Sequence, residues 1–188
     1  MSKPFFNIIF CIFGCDTIEQ YQKEILKIKD TWGKATQLDK AQNHFLFFLG
    51  EEGPFTGDEY IHLENVENDY LSASYKQYGG LKHIYENYNF NYVFICGTDT
   101  YVLTDNLENY ISQNEEIRPD KPLVIGGHGD NRQICNLLVH FFAGGAGIIL
   151  TKATMDIIYP ELHTMQEEWM WMCVENDYNT YIAACDLS

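Results

Sequence analysis

Basic residues are scarce: twelve lysines and arginines stand against twenty-seven aspartates and glutamates, a formal charge of −15 over 188 residues. Nucleic-acid affinity rests on neutralising phosphates with Lys and Arg, so a free-standing nucleic-acid binder is excluded. One phosphorylated small molecule remains compatible, because a metal ion or a few placed donors can hold it locally. Long apolar runs are lacking too, and no stretch reaches the roughly 18–20 residues needed to span a bilayer. The nearest, Phe5 to Cys15 (FFNIIFCIFGC), is interrupted by Asn7, flanked by a lone Lys3 and followed by no small-residue cleavage site. It reads as a buried first strand and not as a signal peptide. There is no C-x-x-C pair: Cys11, Cys15, Cys96, Cys135, Cys173 and Cys185 stand singly. They read as mostly buried thiols, not as a disulfide frame or a zinc site. The Rossmann glycine fingerprint, the P-loop and the G-x-S-x-G elbow are missing, and the six histidines show no metal-ligand spacing.

What is present fills a core. A 46% apolar fraction with 15% aromatic residues suits one compact domain over residues 1–188. Strand-like and helix-like segments alternate, the pattern of an α/β fold with a largely parallel sheet. Strands are expected at FFNIIFCIF, His44 to Gly50, YIHLEN, Tyr92 to Cys96 and PLVIGG. Asp16 or Thr17, with Glu19 and Gln20 three residues on, offers a capping box. The helix that follows carries Ile18, Tyr21, Ile25, Ile28 and Trp32 on one face and ends at Gly33. The longest helical pattern puts Leu71, Ser74, Tyr75, Tyr78, Leu81, Ile84, Tyr85 and Tyr88 on its apolar face. Gly79-Gly80 inside it costs about 1 kcal/mol per glycine relative to alanine, which points to close packing there. Further helices are expected through NLENYIS and, capped by Thr151, through KATMDII. FFAGGAGIILT reads as a glycine-rich turn entering a strand, and EEWMWMCVENDYNTYIAAC as an acidic loop and a terminal helix.

Three features could carry chemistry. Asp99 follows the carboxyl end of a buried strand, the edge at which open α/β sheets bind ligands; it suits either a metal or sugar contact or an ordinary turn. Gly144-Gly145-Ala146-Gly147 permits close approach of backbone to a ligand, or a tight turn packed under a neighbouring strand. Glu175-Asn176-Asp177 follows a Trp- and Met-rich stretch, where an acid can have its proton affinity raised and serve as a general base; Asp177 as a helix cap is the alternative. The EEWMWM cluster could line an acceptor groove or a subunit contact.

Taken in order, these segments resemble the β1,3-galactosyltransferase and fringe family, closest to core 1 galactosyltransferases. IKDTWGK (Ile28 to Lys34) is similar to the family's I-R-x-T-W-G-K, NDYLSASYKQ to its acid-x-Tyr…Lys helix, with Lys76 at the characteristic lysine. YVFICGTDTYVLTDNLENYI resembles the strand, D-D-D-T-Y-V motif and helix. FFAGGAGIILT resembles G-G-A-G-Y-V-L-S, and ENDYNTYIAAC lies where the family has E-D-V-x-x-G-x-C. The resemblance covers roughly residues 5 to 187. It implies a GT-A fold and an inverting hexosyl transfer from a UDP-sugar to a glycan or protein-linked acceptor, with Mn2+ or another divalent metal. It further implies Asp99 as metal ligand and Asp16, Lys76, Thr98, Asp99, Gly144, Gly145 and Ala146 as the donor-binding set. Asp177 would be the base, with Glu175 as substitute.

The chain departs from the pattern at several positions. The acidic triplet is reduced to Gly97-Thr98-Asp99, Asn176 replaces an acid, and Tyr181 replaces a glycine. The family's later metal-binding histidine would lie beyond Ser188. The expectation is therefore weak metal affinity, or a chain that is the N-terminal part of a longer protein. A catalytically weak or inactive nucleotide-sugar or glycan-binding relative is the second expectation. With no anchor preceding the first strand, the expected location is the cytoplasm of a microbe, or of a host cell if the source is viral.

Overall fold

A computed structural model describes residues 7–34, 43–69, 71–129, 131–134, 137–140 and 142–175, with side chains omitted over 131–139 and 172–175. Its strands are β1 (Ile8–Phe13), β2 (His44–Leu49), β3 (Tyr60–His62), β4 (Tyr92–Gly97), β5 (Val124–Gly127), β6 (Asn131–Ile134), β7 (Leu137–His140) and β8 (Ala143–Thr151). Its helices are α1 (Glu19–Asp30), α2 (Ala73–Asn87), α3 (Thr104–Gln113), α4 (Lys152–Ile158) and α5 (Leu162–Glu175), with a 3₁₀ turn at Tyr159–Glu161. Six strands form one sheet in the order β3-β2-β1-β4-β8-β5, and β6 with β7 forms a separate antiparallel pair. β1 to β4 are parallel to one another, whereas β8 runs antiparallel to both β4 and β5.

Continuous apolar strands follow from helices on both faces of the sheet. Ile8, Phe10 and Ile12 of β1 point to the side where Ile25, Ile28 and Trp32 lie, together with Ile111 of α3. Ile9 and Cys11 point the other way, toward Tyr78, Leu81 and Ile84 of α2 and Met155 of α4. Phe10 sits edge-on to Trp32, with ring centroids 5.4 Å apart. Burying each such side chain contributes roughly 1.5–3 kcal/mol. Cys11, Cys15 and Cys96 are free and buried, as expected of isolated thiols; Cys135, Cys173 and Cys185 have no described side chains.

Gly80 explains why α2 tolerates its glycine pair. A Cβ there would fall 2.8 Å from Cys11 Sγ and 2.8 Å from Phe48 Cδ2, so only glycine lets the helix lie this close to the sheet. Thr151 caps α4 as its hydroxyl accepts the Thr154 N–H at 3.3 Å.

Four local expectations give way. No side-chain capping bond closes the start of α1, whose cap position is Ile18, because the Asp16 side chain is committed elsewhere. The expected face of α2 holds at Ser74, Tyr78, Leu81 and Ile84 but gives way near its start, where Leu71 and Tyr75 are exposed while Lys76 and Gln77 are buried. Residues 143–146 are not a turn before a strand but the start of β8. Glu167 and Glu168 lie within α5 and not in a loop; the terminal helix expected beyond Asp177 lies outside the described residues. Among the described residues no helix is long and apolar enough to cross a membrane.

Candidate functional site

The strand order fixes where a ligand would sit. From β1 the chain leaves through α1 toward β2, whereas β4 is entered through α2 on the opposite face. The carboxyl ends of β1 and β4 therefore flank a topological switch point, the crevice at which open α/β sheets bind ligands. Gly14 to Thr17 follow β1 and Thr98 to Asp99 follow β4.

Asp16 is fully buried. Its carboxylate accepts the Phe55 N–H at 2.9 Å and the Asn68 side-chain amide, and its carbonyl accepts the Gln22 amide at 2.7 Å. Asn68, which the sequence did not mark, is the hub of this edge. Its amide also donates to the Glu52 carbonyl at 2.6 Å, and its own carbonyl accepts the Thr17 hydroxyl at 2.6 Å and the Cys15 thiol at 2.8 Å. Asp69 continues the tie to α2: its carboxylate takes the Ser72 N–H at 2.9 Å, and its carbonyl takes the Lys76 amine. Lys76 is almost wholly buried. Burial pushes its amine below the ordinary lysine range, while Cys15, Asp69 and Asp16 pull the other way. Asp16 and Lys76 thus come together as a framework around the site, with their polar ends turned into the protein.

An open cleft of about 590 Å³ lies beside this framework, lined by Thr17, Glu51, Glu52, Asn65, Glu67 and Asp69 among others. Its carboxylates suit hydroxyl and N–H donors and repel phosphate.

At the β4 end Asp99 is exposed and Thr98 is buried. The Thr98 hydroxyl donates to Glu24 Oε2 of α1 at 2.6 Å. The Thr100 hydroxyl lies 3.5 Å from the Gly145 carbonyl, which brings the Asp99 turn alongside the glycine segment. That segment is a four-residue bulge: β5 pairs Gly126 with Ile148 and Gly127 with Ala143, leaving residues 144–147 outside the ladder. Gly144, Gly145 and Ala146 are exposed, and a Cβ on Gly145 would meet nothing within 4 Å. Gly147 carries the conformational demand, with φ +75° and its Cβ position occupied by the Phe94 ring.

α5, which leads into the Glu175-Asn176-Asp177 segment, runs toward the same edge. Tyr159 stacks on Tyr85 near the end of α2, with centroids 4.0 Å apart, and Met170 of α5 meets the Ser74 hydroxyl near the start of α2 at 3.9 Å. α5 therefore runs antiparallel to α2 and toward the carboxyl ends of the parallel strands. Glu175 is its last residue; Asp177 lies outside the described residues. Trp169 of the EEWMWM cluster is buried, whereas Trp171 is 62% exposed.

Among the described residues no group of three or more His, Cys, Asp or Glu side chains forms a metal cage. A divalent cation shared with a diphosphate needs fewer protein ligands, often one or two carboxylates; at the β4 end Asp99 supplies one exposed carboxylate, next in sequence to the Thr98 hydroxyl. The sequence matches no protein-family model and no curated protein.

Proposed function

We propose that this chain is an inverting hexosyltransferase of GT-A type that moves a sugar from a UDP-sugar donor to a hydroxyl of a glycan or protein-linked acceptor. The observation that carries the reading is the Thr100–Gly145 contact, which sets the exposed Asp99 turn beside the glycine bulge at the switch point. Two motifs separated by more than forty residues thereby meet at one edge of the sheet.

In this reading the acidic cleft accepts the hydroxyls and imide N–H of the nucleoside, and the bulge leaves room for the hexose. Asp99 would hold a divalent cation, which would neutralise charge developing on the departing diphosphate. Asp177 would take the acceptor hydroxyl's proton from the face opposite the diphosphate, with Glu175 as the substitute. Asp16 and Lys76 shape the donor side through Asn68 and Asp69 and make no direct contact with it. A single carboxylate in the Gly97-Thr98-Asp99 segment favours one further reading, a relative that binds the nucleotide sugar without efficient transfer.

Calorimetry with UDP and UDP-sugars, with and without Mn2+, tests both. Metal-dependent UDP binding that is lost in Asp99→Ala, with the fold retained, is expected. Unchanged affinity in that variant would remove Asp99 from the role. Donor hydrolysis or transfer then separates the enzyme from the binding relative.

A further inference from the structure

Thr98 stands where the resembled motif carries an acid, and the structure brings a carboxylate to it from a different element. Its hydroxyl donates to Glu24 Oε2 at 2.6 Å, seventy-four residues away in sequence, and Glu24 Oε1 accepts the Gln20 amide at 3.1 Å. The Thr98 methyl lies close against Gly14, where an added Cβ would fall 2.8 Å from it. The charge-assisted bond to α1 orients the Thr98 side chain, and the close approach of Gly14 leaves its methyl little room. With its one proton given to Glu24, the Thr98 oxygen has only lone pairs left to offer. It can serve a cation or a donor group and cannot donate to a phosphate.

We propose that Glu24 is a positioning residue of the cation–diphosphate site: by accepting the Thr98 proton it fixes Thr98 as an acceptor and holds the Gly97-Thr98-Asp99 turn so that Asp99 faces the sheet edge. The inference rests on the functional reading above and adds a residue to it. It also gives a physical account of how a motif with one acid could retain metal: the second carboxylate acts behind the neutral oxygen and not beside it.

The test measures Mn2+ affinity in the presence of saturating UDP, by electron paramagnetic resonance of free Mn2+, alongside UDP affinity without metal and thermal unfolding. Glu24→Gln can donate to Thr98 and turn its proton into the site. It should weaken Mn2+ binding roughly 10–100-fold, the usual cost of losing a partner that orients a metal ligand. Metal-free UDP affinity and the unfolding temperature should remain close to wild type. Thr98→Val should produce a comparable loss, Thr98→Ser should restore most of the affinity, and Glu24→Gln should add little to Thr98→Val. Mn2+ affinity within twofold of wild type in Glu24→Gln overturns the proposal. A full further loss when Glu24→Gln is added to Thr98→Val overturns it as well, because Glu24 would then act on the cation directly. If the wild-type protein binds no Mn2+ with UDP, the functional reading fails and this inference fails with it; unchanged Mn2+ affinity in Glu24→Gln alone overturns this inference and leaves that reading standing.

Discussion

The Asn68 side chain clasps Asp16 across fifty-two residues of sequence, its amide donating to the carboxylate and its oxygen accepting the Asp16 N–H at 3.3 Å. This reciprocal pair locks the loop after β1 to the segment that leads into α2. Because Phe55 N–H also ends on Asp16, the loop after β2 is held by the same carboxylate. Three loops that wall the cleft therefore share one polar node.

Asp16→Ala would leave the Phe55 N–H and the Asn68 amide without their common acceptor. Stability measured by urea unfolding should fall by about 1–3 kcal/mol, the cost of stranding buried donors. Asn68→Ala should cost a similar amount, and the double variant should lose less than the sum, since both remove one network. A change in Asp16→Ala below about 0.5 kcal/mol, the usual range for an inert surface site, would show that the node is not structural.

The glycine segment separates two roles within four residues. Gly145→Val places its side chain in open space, so stability should hold while UDP-sugar affinity falls markedly. Gly147→Ala instead forces a Cβ onto the Phe94 ring at φ +75° and should destabilise the fold by about 1–3 kcal/mol. A Gly145→Val protein with lost stability and normal residual affinity would mean that the segment serves packing alone.

The same segment shows what the sequence could and could not reveal. Strand positions were legible because β1, β2 and β4 are buried on both faces and so are apolar at nearly every residue. The Gly80 approach was legible because a glycine inside a helix carries a cost that needs a reason. The bulge was not, since a four-residue register shift between β5 and β8 depends on which strands become neighbours. Lys76 was legible as a special position only through motif resemblance: periodicity favoured Tyr75 for the buried face, and the buried amine is satisfied by the backbone carbonyl of Asp69, seven residues back, which residue type does not reveal. Asn68 and Glu24 gave no signal beyond residue type. Their importance lies in long-range bonds that no local pattern encodes.

His83 on α2 supplies a pH test of the packing between that helix and the sheet. Its ring meets Phe48 edge-on at 5.8 Å, and burial holds its imidazole below the ordinary histidine range, with nearby Glu86 opposing. The folded state therefore binds this proton less readily than the unfolded chain. The associated stability is present above the unfolded value of 6.5 and is lost as pH falls below it toward the folded value. His83→Phe should flatten that acid-side loss in urea midpoints compared between pH 8 and pH 5. An equally steep loss in the variant would assign the acid sensitivity to other groups.

The base assignment is the prediction with the sharpest kinetic signature. Inverting transfer requires a carboxylate on the side of the anomeric carbon away from the diphosphate, and α5 runs toward the sheet edge at which the donor would lie. Glu175 closes that helix, and Asp177 follows two residues later. Asp177→Asn keeps size and hydrogen-bonding capacity but cannot accept the proton, so turnover should fall by roughly 10²–10⁴, the usual contribution of a general base. Donor affinity should stay within a few-fold, because the proposed role touches neither uridine nor phosphate. That split distinguishes a base from a residue that merely supports the fold, whose loss would lower stability and donor binding together. Near-normal turnover in Asp177→Asn, measured once an acceptor is known, would shift the role to Glu175. Glu175→Gln should then carry the full rate loss, and a normal rate in both variants would remove this segment from the chemistry.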